Sequence, residues 1–191
     1  MSTVRRILVG DSHASGLAAA AARAGAPFVA SQAFSGQRTS TIAESGWVGA
    51  AMSSQGTRHI DEVWVVSSGN DRAPDNLEPP VRSLQQQAGR ARLVWLGPPT
   101  SQVPLVDDQH LGTTEKLGRL LPRDVFFDSR PMTRSGHAAD GVHFTHAGYD
   151  AWWSAAEQEA WLAKRTPLFV GVGLGVAGLV AVAIAVLQAQ K

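Results

Sequence analysis

The chain has 191 residues, enough for one ordinary domain and something small besides. Its formal net charge of +1 gives no electrostatic footprint for nucleic acid or any strongly charged partner. The absence of cysteine excludes disulfides, thiolate metal sites and a cysteine nucleophile.

In chain order, Val4 to Val9 is an apolar, β-favouring run that reads as a buried first strand. Its apolar stretch is too short for the core of a signal peptide. An Ala-rich helix is expected from about Ser15 to Ala24, then a short second strand over Pro27 to Ala30. Gln37 to Ser53 reads as loop and helix, weakened by Gly46 and Gly49. Glu62 to Ser67 is a third buried strand. Pro79 and Pro80 suit the first turn of a helix running to about Ala88. Arg92 to Leu96 is the fourth strand, stopped by Gly97-Pro98-Pro99, and a polar loop leads to a helix over Thr113 to Leu121. Asp124 to Phe127 is a final short strand, and Thr145 caps a helix continuing towards Lys164. Five short apolar strands separated by helical segments predict a parallel sheet with helices on both faces, a three-layer α/β/α domain.

Leu168 to Leu187 is different in kind: twenty consecutive residues are apolar or glycine. As a helix rising about 1.5 Å per residue they span about 30 Å, the thickness of a bilayer's hydrocarbon core. Trp161 sits where interfacial aromatics sit, Lys164 and Arg165 flank one end, and Lys191 flanks the other. The expected division is therefore a domain over 1–163 and a single-pass membrane anchor over 164–191. The flanking charge favours a cytoplasmic domain, whereas a cell-wall substrate would demand the other side. Gly171, Gly175 and Gly178 share one face of that helix and would let a second copy approach, giving a homo-oligomer.

The chemistry is at the strand ends, because ligands of open parallel sheets bind at the carboxyl ends of strands. Gly10-Asp11-Ser12 directly follows the first strand, Ser35-Gly36 follows the second, and Gly69-Asn70-Asp71 follows the third. Asp140-Gly141-Val142-His143 supplies a carboxylate and an imidazole three residues apart from a late loop. A serine at a strand end and a distant histidine with its own acid are what nucleophilic acyl transfer requires. Taken separately, each block has a plainer reading. Ser12 could cap the following helix, Asp140 and His143 could be a surface pair, and Asn70-Asp71 could be a turn. Of the six histidines only His143 and His146 lie three apart, with no second pair at ligand spacing, so no metal is expected.

Together, in this order, the four blocks resemble those of the SGNH, or GDSL-type, hydrolases, over Val4 to about Trp161. The resemblance implies a flavodoxin-like five-stranded parallel sheet and a serine esterase that needs no cofactor. It implies Ser12 as nucleophile, His143 as general base and Asp140 as the group orienting His143. The oxyanion hole would be the N–H groups of Ser12 and Gly36 with the Asn70 side-chain amide. Asp11 and Asp71 would hold turns. His13 stands where the motif has leucine. A small ester or an O-acetyl group on a carbohydrate or cell-wall polymer is the expected substrate. The alternatives are an acyltransferase to a glycan acceptor, or a membrane-tethered or virion-associated binding module with little hydrolysis.

Overall fold

The five apolar runs lie side by side in one parallel sheet in the computed structural model, which describes residues 4–165 except 57, 68, 73 and 74. The strands are β1 (Arg6–Gly10), β2 (Ala30–Ala33), β3 (Glu62–Val66), β4 (Arg92–Leu96) and β5 (Phe126–Phe127). Their order across the sheet is β2-β1-β3-β4-β5. The chain moves outward in one direction from β1 to β2, then returns and continues on the other side from β3. Adjacent loops therefore diverge between the carboxyl ends of β1 and β3, the crevice where such sheets take ligands.

The helices are α1 (Ser12–Arg23), α2 (Thr39–Glu44), α3 (Trp47–Ser53), α4 (Glu78–Ala88), α5 (Pro104–Leu120) and α6 (His146–Arg165). Alternate strand residues face opposite layers. Ile7, Val9, Val63, Val65 and Trp95 point to one face, covered by Ile42, Val48, Val81, Leu84 and Leu117 from α2 to α5. On the other face Trp64 meets Trp153 of α6 at 5.2 Å between ring centroids. There α1 buries Leu17, Ala20 and Ala21. Each fully buried aliphatic side chain contributes about 1.5–3 kcal/mol relative to exposure, so the strands are fixed from both sides. The end remote from the crevice holds a buried carboxylate, Glu62, which accepts from Arg6 (3.1 Å), Arg92 (3.3 Å) and the Trp64 indole (3.0 Å).

Beyond shifts of one to three residues at the ends of β1, α1, β3 and β5, three regions differ from the sequence reading. The second strand is Ala30–Ala33 rather than Pro27 to Ala30, because it is an edge strand whose exposed Ser31 and half-buried Gln32 carry no apolar run. The polar loop expected before Thr113 is helix: α5 begins at Pro104, where proline's missing N–H costs no hydrogen bond. Gln37 to Ser53 holds two helices, broken at Gly46, whose φ of 68° is in the left-handed region. Among the described residues no helix is long and apolar enough to cross a membrane. The expected span Leu168 to Leu187, with Gly171, Gly175 and Gly178, lies outside the described residues.

Candidate active site

The site starts from a cap. Asp11, at the end of β1, accepts the backbone N–H of His13 at 3.0 Å and so serves as N-cap of α1. Ser12 is then the first helical residue, and its hydroxyl is left free of capping. The N–H of a first helical residue has no intrahelical partner and points, with the positive end of the helix dipole, at whatever lies ahead of it. Gly10 lets the strands close tightly beneath this turn: a Cβ there would stand 2.1 Å from the Val66 carbonyl oxygen.

His143 reaches Ser12 from the loop after β5. Its Nε2 lies 3.0 Å from Ser12 Oγ and its Nδ1 2.7 Å from Asp140 Oδ2. The other Asp140 oxygen accepts the backbone N–H groups of Val142 and His143, both at 2.9 Å. These bonds, the one from His143 first, hold the Asp140 carboxyl well below the usual carboxylate range although it is exposed. The loop is tied down on both sides. Ala138 N–H donates to His143 O at 2.8 Å, and Gly141 O accepts from Gln102 N–H at 2.7 Å and the Ser101 hydroxyl at 3.0 Å.

Gly36 and Asn70 come to the same cavity from the ends of β2 and β3. Gly36 has a φ of 74°, a conformation that other residues adopt only with strain. Asn70 turns its amide nitrogen towards two acceptors, Gln37 O at 3.2 Å and Asp11 Oδ2 at 3.5 Å. The first holds one amide proton. The second contact is long, so the other proton is the one a substrate oxygen can take. Asp71 holds the neighbouring turn, accepting Thr39 N–H at 3.1 Å and its hydroxyl at 2.5 Å.

Burial sets the protonation beneath the site. Asp11 is pushed up to about 7, chiefly by burial and further by the nearby Asp71 charge, against the hydrogen bond from His13 N–H. Burial pushes His13 down to about 3, with the His143 charge adding to it, so its ring is neutral. Its Nδ1 lies 3.2 Å from the Tyr149 hydroxyl, whose pKa burial raises to about 12. His13 therefore belongs to the floor of the site.

The cavity measures about 350 Å³, within the range of small-molecule sites. Ser12, Gly36, Asn70 and His143 all line it; Asp140 stands behind His143. Arg72, Val106, Gln109 and His110 also line it and are absent from the sequence reading. The last three lie in the part of α5 read as a loop, and Pro104 was the signal that the helix starts earlier. His110 is buried, with ring nitrogens 2.7 Å from Pro99 O and 3.1 Å from Gly69 O. Burial lowers its pKa, and a neutral ring donates to only one of these carbonyls.

A serine hydroxyl, an imidazole and a carboxylate in series, at the carboxyl edge of a doubly wound parallel sheet, define the arrangement of a nucleophilic acyl-transfer site. Solved structures give the fold its company. The chain is similar to a protein named as an SGNH hydrolase from Slackia heliotrinireducens, at 21% identity and a TM-score of 0.62 over 82% of this chain and 98% of that one. It is similar to a member of the lipolytic G-D-S-L family from Veillonella parvula, at 12% identity and a TM-score of 0.62 over 81% and 96%. The C-terminal catalytic domain of Streptococcus pneumoniae peptidoglycan O-acetyltransferase A matches at 16% identity and a TM-score of 0.56, over 84% and 94%. No protein-family model matches the chain, and no curated protein does. The chain thus shares the three-layer fold of SGNH and GDSL-type hydrolases.

Proposed function

We propose that the protein is a serine esterase of the SGNH type, acting on a small carboxylic ester through an acyl-enzyme. The observation that carries this reading is the continuous series Asp140 to His143 to Ser12, at 2.7 and 3.0 Å. Ser12 Oγ attacks the ester carbonyl carbon as His143 Nε2 takes its proton. The oxyanion that forms is held by the N–H groups of Ser12 and Gly36 and by the Asn70 amide, donors fixed before the reaction. Asp140 stays ionised beside the imidazolium. The intermediate collapses, the alcohol leaves with the proton from His143, and Ser12 is acylated. Water, deprotonated by His143, then releases the acid and restores the serine.

Turnover of a short-chain chromogenic acetate is the test, with Ser12→Ala as the comparison. Equal rates for the two proteins would overturn the mechanism. A sugar hydroxyl in place of water gives the transferase variant of the same scheme, and product analysis with and without an acceptor glycan separates the two. An O-acetylated carbohydrate is the substrate class this reading favours.

We also propose that residues 168–187 attach the protein to a membrane. The support is the sequence alone: an uninterrupted apolar run of bilayer length with basic residues at both ends. Full-length protein should sediment with membranes after carbonate washing and be released by detergent.

A further inference from the structure

The proposed esterase site carries one fixed charge that the ester chemistry does not use. Among the described residues lining the cavity, Arg72 is the one permanently charged side chain, and no carboxylate lines it. His13 and His110, the other basic groups of the lining besides His143, are held towards the neutral form by burial. Asp11 lies beneath the floor, and Asp140 is turned to His143.

The guanidinium of Arg72 has no ion-pair partner among the described residues. The Asp75 carboxylate, three residues on, is committed elsewhere: it accepts the backbone N–H of Arg72 at 2.7 Å and stands 3.8 Å from Arg38. Arg72 follows Asn70 by two positions, on the segment leaving the carboxyl end of β3. Both residues line the cavity, so a substrate whose carbonyl oxygen is held by Asn70 shares that cavity with the Arg72 side chain. The lining also offers the apolar Val106 and Val142. An arginine fork matches the two oxygens of a carboxylate or phosphate, and in a structural ion pair a carboxylate would already fill it.

Resting on the esterase reading, we propose that Arg72 selects esters bearing an anionic oxyacid group, a carboxylate or a phosphate, close to the scissile bond. An O-acylated acidic sugar fits this description; an O-acylated neutral sugar does not. Because Arg72 is solvent-exposed, its effect on selectivity is modest, about fivefold, and it is screened by salt.

The test compares 4-acetoxybenzoate with 4-acetoxybenzamide, an anionic and a neutral ester of similar size, in full-length protein. The readout is the ratio of their kcat/KM values. This ratio should fall about fivefold in Arg72→Gln, be largely kept in Arg72→Lys, and fall further in Arg72→Glu. In the wild type it should also decline between about 0.05 and about 0.5 M NaCl, where the Debye length shrinks from about 14 Å to about 4 Å, and stay flat in Arg72→Gln. Acetyl phosphate as competitor should inhibit the wild type more than Arg72→Gln. A ratio equal in all four proteins and insensitive to salt would overturn the assignment. If Arg72→Gln does not fold, the salt dependence of the wild type and the Arg72→Lys ratio decide it alone. Failure of the underlying reading looks different: Ser12→Ala would then turn over both esters at the wild-type rate.

Discussion

Ser12 Oγ and His143 Nε2 lie 3.0 Å apart across 131 residues of sequence. Two independent supports bring them together. The first residue of α1 is fixed by the Asp11 cap, and the His143 loop is fixed through Gly141 to the segment after β4. Groups that act in one proton path fail together. Ser12→Ala and His143→Ala should each lower kcat on a chromogenic acetate by at least about 10⁴-fold, and the double variant should be no worse than the poorer single one. Asp140→Asn should lose less, since the proposed oxyanion donors and the imidazole remain. A double variant losing the product of the two single losses would show that the residues do not work as a unit.

The proposed oxyanion donors make a separate prediction. Asn70 has one amide proton on Gln37 O and a loose contact to Asp11, so removing it leaves the Ser12–His143 pair untouched. Asn70→Ala should reduce kcat by about 10²- to 10³-fold with little change in KM, because the bond forms only to the developing charge. Steady-state kinetics check this. A variant with raised KM and normal kcat would instead make Asn70 a binding contact.

Much of this site was legible because its residues sit at the ends of recognisable strands. Arg92–Leu96 coincides with its apolar run, and Glu62–Val66 falls one residue short of the expected strand. A strand buried on both faces announces itself by composition alone. Ala30–Ala33 does not, since an edge strand needs no apolar run, and the reading slipped by three residues. The start of α5 was illegible for a related reason. Its first turns are exposed or half-buried, and its buried residues begin only at His110. That error removed Val106, Gln109 and His110 from the expected cavity. Whether Asp11 or Ser12 caps α1 could not be read from residue type, because both are good N-caps. The answer depends on which side chain His143 claims.

Two glycines should respond to the same substitution with opposite signs. At Gly10 a Cβ would lie 2.1 Å from a backbone oxygen of β3 and 2.6 Å from Ala14 Cβ, and neither can swing away. Gly10→Ala should destabilise by about 1–3 kcal/mol or more and lower activity, since it pries β1 from β3 directly under Ser12. Gly49 lies inside α3 with nothing within 4 Å of a Cβ. Gly49→Ala should stabilise by about 0.5–1 kcal/mol through helix propensity. Thermal unfolding of both variants measures the contrast. A neutral Gly10→Ala would mean that the strands can separate at the crevice without cost.

His13 makes stability depend on pH in a definite direction. Unfolded, its imidazole takes a proton near the ordinary 6.5; folded, burial delays this to about 3. Between those values the unfolded chain binds the extra proton, so this group's contribution to stability falls as the pH drops from 6.5 towards 3. At pH 5 the loss is about 2 kcal/mol relative to pH 8, at about 1.4 kcal/mol per pH unit below the unfolded value. Leucine at this position has no proton to take. Losing the Tyr149 contact adds an offset to His13→Leu that is the same at every pH. The difference in unfolding free energy between His13→Leu and the wild type should therefore move in favour of the variant by about 2 kcal/mol between pH 8 and pH 5. Asp11 works in the other direction. Its folded value of about 7 lies above the unfolded one, so its contribution is present in acid and lost as the pH rises from 3.8 to about 7. Because Asp11 is present in both proteins, its effect cancels in the comparison. Urea unfolding at the two pH values reads the difference directly, and parallel curves for the two proteins would mean that His13 titrates normally and is not sealed beneath the serine.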